Sequence, residues 1–460
     1  MEDRLIENAD KILELAELKK YSELRTLLSD MNPYDIAEIL VSLSEKQLPL
    51  IFRLLPKELA ADAFVAMDPD AQENLITSFS DNEIRDMFAE LYLDDAADII
   101  DEMPANVVAR IMRNTDEQTR KFINELCKYP DDSAGSIMTP EYVDLRKSFT
   151  VGEALERIRL VGTDKETVYT CYVTENRKLI GVISAKTLLI SPRDTVIGDI
   201  MHENIISVNT HDDQEYVATC FKKYGYLAIP VVDKEMRLVG IVTIDDALGV
   251  LTEEATEDIQ KMAAITPSDK PYRKTGVFSI WLKRIPWLML LMISATFTGK
   301  IITSFESALS SVIILTAYIP MLMDTAGNAG SQASVTIIRG LSLGEISPKD
   351  IFAVLFKEIR VAVLCGLSLG VANFGKMLLI DRASIEASGQ SAVMIALVVC
   401  VSIVVTIIFA KTVGCSLPII AKRIGLDPAV MASPFITTIV DMLSLLVYFN
   451  LATHILKIAS

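Results

Sequence analysis

From about residue 285 the chain runs apolar in stretches long enough to cross a bilayer, and no other feature restricts its fold as tightly. Lipid offers exposed backbone no hydrogen-bond partner, so such stretches must be helices or close into a barrel. A spanning helix needs about 20 mainly apolar residues. Five runs approach that length: 285–305, 309–324, 361–380, 392–420 and 435–456. The expectation is a multidomain membrane protein whose residues 281–460 form a five-helix, all-α transmembrane domain, multi-pass in the cell membrane. Lys and Arg bias sets its orientation. Lys270, Arg273, Lys274, Lys283 and Arg284 precede the first run, Arg339, Lys349, Lys357 and Arg360 follow the second, and Lys422 and Arg423 follow the fourth. The opposite side holds Lys300, Arg382 and Lys457. With no cleavable signal segment at the charged N-terminus, residues 1–275 are expected in the cytoplasm and the C-terminus outside. Five helices enclose a path poorly, so a twofold homodimer with the path near its interface is expected.

One carboxylate breaks the apolar pattern. Asp441 lies inside the last run with no basic residue within four positions, where insertion costs about 2.5–3.5 kcal/mol. Thr437 and Ser433 precede it at intervals of four, which sets three oxygens on one helix face. The segment from Pro320 to Gln332, with Gly327 and Asn328, is rich in small and amide residues and suits a broken helix whose carbonyls face water. These donors are all oxygen, with no Cys or His near, which favours Mg²⁺ or Ca²⁺ over zinc or copper.

The rest of the chain is water-facing and acidic. Of a net charge of −17, residues 1–275 hold 52 acidic against 31 basic side chains, while 276–460 hold 9 against 13. Such a field repels nucleic acid and anionic lipid and gathers cations. The six Cys and three His show no metal-ligand or disulfide-framework spacing. No nucleophile–base pair or P-loop is present, so an enzyme is not expected.

Two internal repeats organise this half. Pro33, Pro56 and Pro104, with Ser80-Asp81 at the missing midpoint, recur near every 24 residues and predict an α-solenoid over residues 1–130. Asp94 and Asp98 fall on one helix face there. Residues 131–252 then repeat themselves: Ile137-Met138 matches Ile200-Met201, and Val173 to Gly181 matches Val232 to Gly240. This doubled β-α-β-β-α unit resembles a tandem CBS (α+β) pair. In such modules a Gly-h-h-Ser/Thr-x-x-Asp element holds an adenine nucleotide. The second copy has it as Gly240, Thr243 and Asp246, with Tyr226 and Pro230 placed for the base; the first has Ser184 but Thr187 where Asp would stand. A long connecting helix over 253–280 follows, with Glu253, Glu254, Glu257 and Asp258 expected in its first turns.

The motifs Tyr129-Pro-Asp-Asp-Ser-Ala-Gly-Ser-Ile-Met-Thr-Pro-Glu-Tyr142, Glu254-Ala-Thr-Glu-Asp258, Gly327-Asn-Ala-Gly-Ser-Gln332 and Asp427-Pro-Ala with Ser433-Pro and Asp441 occur in this order. In order and motif the chain resembles the MgtE family of magnesium channels and transporters. The resemblance implies a homodimer conducting Mg²⁺ inward, with Asp441 as the central pore ligand and Thr437, Ser433, Gly327 and Asn328 beside it. It implies cytosolic Mg²⁺ sensing by Asp94, Asp98, Asp213, Glu215, Asp246, Glu254, Glu257, Asp258 and Asp427, tuned by an adenine nucleotide such as ATP. Gly225 and Gly249 stand where some members carry acidic residues, so one sensing site is expected to be weaker. Two alternatives stay open: an ion-coupled divalent cation transporter, for which only Lys376 and Lys411 offer further charge along the path, and a membrane-anchored nucleotide sensor.

Overall fold

Asn32, Pro56, Ser80 and Pro104, 24 residues apart, each hold extended backbone one residue ahead of a helix. The Asn32 side chain accepts from the Tyr34 amide, and Ser80 forms a reciprocal capping box with Glu83. Each helix so started (Pro33–Val41, Lys57–Val65, Asp81–Phe88, Ala105–Asn114) is followed by a partner (Leu48–Phe52, Pro69–Ser78, Leu93–Glu102, Glu117–Leu126). Ile36, Leu40, Ile51, Phe64, Leu75, Ile84 and Ile111 build one continuous core through the stack. Lys57–Asp86 and Arg110–Asp81 pair successive units across its surface, and Arg53–Glu83 ties the end of the first unit to the third.

The computed structural model describes residues 2–268, 272, 275–431 and 433–457, in two compact units, Met1–Leu251 and Thr252–Ser460. The second half of the first unit holds two three-stranded sheets of one design. β1 (Asp144–Arg146) runs parallel to β2 (Thr170–Glu175), which pairs antiparallel with β3 (Lys178–Ser184). β4 (Val208–Asn209), β5 (Ala228–Val232) and β6 (Leu238–Thr243) repeat that order. Strand alternation splits the side chains: Cys171 and Val173 enter the first copy's core, while Tyr172 packs with Ala228, Val232 and Ile241 between the sheets.

The repeated dipeptides meet crosswise. Met201 lies against Gly181 and Met138 against Gly240, so closely that a Cβ at either glycine would strike the methionine sulfur. The sequence alignment of the hairpins is off by one residue. Val173 faces Gly181, but Val231, not Val232, faces Gly240. The first turn is tight, with Asn176 and Arg177 both at positive φ. The second is longer, built around Asp233, whose carboxylate accepts from the Glu235 and Arg237 amides.

The second unit contains, among the described residues, five long helices: Val277–Ser304, Ile319–Ser342, Ile351–Lys376, Ala392–Arg423 and Ser433–Leu456. Among the described residues, helices at Val277–Ser304, Ala392–Arg423 and Pro428–Leu456 are long and apolar enough to cross a membrane. Between Arg284 and Lys300 the first carries no charged residue and exposes Leu288, Met289, Leu290, Ile293 and Phe297, as expected of a surface meeting lipid or another chain.

Three expectations need correction. The run 309–324 is not one span: backbone at Val312 breaks the helix Glu306–Ser311, and a long helix starts beside Pro320. That helix, Ile319–Ser342, is continuous through Gly327-Asn328 rather than broken. Its low apolarity reflects small residues buried against other helices. The connecting helix runs over Ile244–Met262, not 253–280, so its acidic residues lie beyond the first turns and the helix dipole does not explain them. Ala264 at positive φ ends it, and the chain returns, with Gln260 and Ser268 exchanging hydrogen bonds.

Candidate functional site

Within the membrane unit, Gly327 and Gly330 let the helix Ile319–Ser342 approach its neighbours. A Cβ on Gly327 would lie 3.2 Å from Thr437 Cγ2 and 3.9 Å from Asp441 Oδ1; one on Gly330 would lie 3.0 Å from Ile436 Cγ2 and 3.2 Å from the Ala410 carbonyl oxygen. The approach leaves a cleft of about 190 Å³ lined by Met323, Asp324, Gly327, Asn328, Thr437 and Asp441. Thr437 donates to the Pro434 carbonyl, which turns its oxygen lone pairs toward other partners. Asp324 and Asn328 are exposed, one turn apart. The structure therefore joins Asp441, Thr437, Gly327 and Asn328, and adds Asp324. The Ser433 side chain lies outside the described residues. Among the described residues no ion pair includes Asp441; cations of the same unit are engaged elsewhere, Lys261 with Asp427, Lys376 with Asp381 and Lys411 with Glu358.

A second concentration of carboxylates lies within the first unit. The helix Leu93–Glu102 presents Asp94, Asp95 and Asp98 toward Asp245, Asp246, Glu141 and Glu166 of the paired sheets' half. Burial, then repulsion from Asp246, pushes the Asp95 carboxyl up to about 6 and Asp98 to about 7. Burial, then Asp95, Asp245 and Asp246, pushes Glu166 up to about 8. Burial likewise raises Asp94, Glu141 and Asp246. Asp94 Oδ1 and Glu166 Oε2 are buried without a hydrogen-bond partner. Glu141 accepts from the Leu93 amide and so caps the acidic helix. Among the described residues no three His, Cys, Asp or Glu groups converge closely enough to hold a metal ion; this is an anionic interface, and its repulsion is what a mobile cation would relieve. Asp94, Asp98 and Asp246 were legible in sequence. Asp95 and Asp245 adjoin residues singled out there and Glu141 lies in the motif Tyr129 to Tyr142, whereas Glu166 carries no signal of its own.

Other expected residues are placed differently. Asp213 caps the helix Gln214–Tyr224 and accepts from the Glu215 amide. Glu254 is half-buried on the connecting helix. Glu257, Asp258 and Asp427 do come together, but around a side chain the sequence did not flag: Lys261 donates to Glu257 at 2.8 Å and to Asp427 at 2.7 Å. Asp427 also accepts from the Ala429 amide, and Ser342 donates to Asp258 at 3.4 Å.

The nucleotide residues share one sheet end. Thr243 closes β6 opposite Ala228, two residues after Tyr226, and Pro230 pairs with Ile241. Thr243 donates to Asp246 at 2.7 Å where the helix Ile244–Met262 begins, so a free hydroxyl lone pair and helix amides remain for an anion. In the first copy Ser184 instead caps its own helix through the Thr187 amide.

The chain thus combines a helical repeat, paired three-stranded sheets and a helical unit with an oxygen-lined cleft. A family model described as a divalent cation transporter matches residues 319–451, the MgtE intracellular N domain matches 31–132, and CBS domains match 134–193 and 197–253. The chain is 35% identical to a magnesium transporter MgtE of Thermus thermophilus, covering 99% of this chain and all of the relative, and 32% identical to one of Bacillus subtilis, covering 94% of each. It is also similar to the crystallised soluble part of a magnesium transporter (32% identity, TM-score 0.52, covering 55% of this chain and 99% of that one). The cytosolic domain of the Mg²⁺ channel MgtE in complex with ATP is similar at 34% identity and TM-score 0.51, covering 53% of this chain and 99% of that one. The chain belongs to the MgtE family, a family of transporters rather than enzymes.

Proposed function

We propose that the chain is a homodimeric channel that admits Mg²⁺ down its electrochemical gradient and is closed by Mg²⁺ on the cytoplasmic side. The cleft of Asp441, Thr437, Gly327, Asn328 and Asp324 carries this reading. Mg²⁺ sheds water reluctantly, so a carboxylate beside hydroxyl and amide oxygens suits a largely hydrated ion. The exposure of Asp324 and Asn328 favours completion of the path by a second copy. All five long helices are taken as spans, with the N-terminal repeat a small solenoid in the cytoplasm and the C-terminus outside.

Closure follows from charge. When cations are scarce, Asp94, Asp95, Asp98, Asp245, Asp246, Glu141 and Glu166 repel one another and loosen the interface. Several Mg²⁺ ions binding the compact state better than the loose one favour closure, and their effects multiply. Asp213, Glu215 and Glu254, and the group at Glu257, Asp258 and Asp427, extend this sensing. An adenine nucleotide, ATP in the relative's complex, binds at Tyr226, Pro230, Thr243 and Asp246 and tunes it.

Mg²⁺ influx into proteoliposomes tests the pore. Asp441→Asn keeps the shape and removes the charge, and its flux should fall at least about a hundredfold. Wild-type flux in the mutant would remove Asp441 from the path. A coupled transporter is the second reading, favoured by the buried Lys411–Glu358 pair, whose side chains are 7% and 14% exposed. Flux that follows an imposed pH gradient would select it.

A further inference from the structure

The connecting helix meets the membrane unit through a lysine. Lys261 Nζ lies 2.7 Å from Asp427 and 2.8 Å from Glu257, with its side chain 23% exposed. One turn earlier Asp258 accepts from Ser342, and Met262 packs on Ile338 and Ala429. These contacts fall at two particular places. Ser342 ends the helix that carries Asp324, Gly327 and Asn328. Asp427 sits in the turn leading into the helix that carries Thr437 and Asp441. The last turns of the connecting helix therefore hold both cleft-lining helices by their ends.

We propose that Lys261 is a positioning residue for gating, a covalently attached cation that docks the connecting helix on the two cleft-lining helices without a metal ion. The assignment deepens the channel reading above and rests on it. Glu257, Asp258 and Asp427 would repel one another if left alone. A divalent ion could bridge them only at sufficient concentration, whereas an ammonium on the same helix is always present. Part of the closing free energy is thus built into the chain, and Mg²⁺ has only the remainder to supply.

The test uses the full chain in proteoliposomes, with Mg²⁺ varied on the side of the water-facing half. Lys261→Met removes the charge and keeps most of the length; Lys261→Arg keeps the charge. Flux without Mg²⁺ on that side controls for folding. In Lys261→Met the half-closing Mg²⁺ concentration should rise about fivefold, and in Lys261→Arg it should stay within about twofold of wild type. A second readout follows docking without flux: the yield of a disulfide between Met262→Cys and Ala429→Cys in detergent without Mg²⁺, read by mass spectrometry of the linked peptides. It should fall several-fold in the Lys261→Met background. A Lys261→Met protein with wild-type closure and wild-type cross-linking would overturn the proposal. Wild-type flux that Mg²⁺ never closes would overturn the channel reading instead, while the cross-link would still decide whether Lys261 docks the helix.

Discussion

The interface around Asp94, Asp95, Asp98, Asp246 and Glu166 and the helix pair holding Glu358 treat buried carboxylates in opposite ways. In the first unit acidic groups face one another, and burial and mutual repulsion raise their proton affinity. In the membrane unit Glu358, almost fully enclosed, is matched by Lys411 at 3.4 Å. A buried charge with a fixed partner stabilises one arrangement; a set without one leaves the arrangement to whatever cation arrives. Asp441 belongs with the unmatched set and Asp427 with the matched. The distinction separates groups that a mobile ion would visit from groups that hold helices together.

The largest expected effect concerns the matched set. Lys411→Met leaves Glu358 buried alone and should cost about 3–5 kcal/mol, seen as a drop in Tm of the detergent-solubilised protein. The double variant Glu358→Gln, Lys411→Met should recover most of it. If the single variant is as stable as wild type, the pair is not holding the helices.

A smaller effect concerns the unmatched set and pH. Carboxyls raised above their unfolded values, about 4 for Asp and Glu, bind protons in the folded interface that the unfolded chain has released. The stability they contribute is present at low pH and lost as pH rises from about 4 to about 8. Without Mg²⁺, protease cleavage around the acidic helix should increase between pH 5.5 and 8, and millimolar Mg²⁺ should suppress the increase at pH 8. Cleavage that falls with pH would reverse the sign and break the comparison.

The smallest effect sharpens the pore assignment. Gly327→Ala sets a methyl 3.2 Å from Thr437, which the neighbour must yield by a few tenths of an ångström. Flux should fall about threefold with the Mg²⁺ concentration for closure unchanged. A shift in closure with flux unaffected would place Gly327 in gating instead.

How much of this was legible in sequence depended on the kind of signal. Proline and cap residues at 24-residue spacing marked the helix starts in the N-terminal repeat because capping is local chemistry. Asp441 stood out because an apolar background makes one charge visible. The helix Ile319–Ser342 was misplaced because hydropathy measures affinity for lipid, and its Gly, Ala and Ser residues pack on protein. Glu141 and Glu166 were missed because only folding brings them to the acidic helix. Lys261 was passed over because i,i+4 pairing with Glu257 looks like an ordinary helix surface; its contact with Asp427 spans 166 residues.

Closure by the unmatched carboxylates is tested by Mg²⁺ influx into proteoliposomes as Mg²⁺ is raised on the side of the water-facing half, for wild type and for Asp95→Asn, Asp98→Asn, Asp246→Asn together. Wild type should close steeply, with a Hill coefficient above about 2. The triple variant, its repulsion already relieved but its cation ligands gone, should respond with a shallower curve. Superimposable curves would contradict the assignment of closure to the unmatched carboxylates.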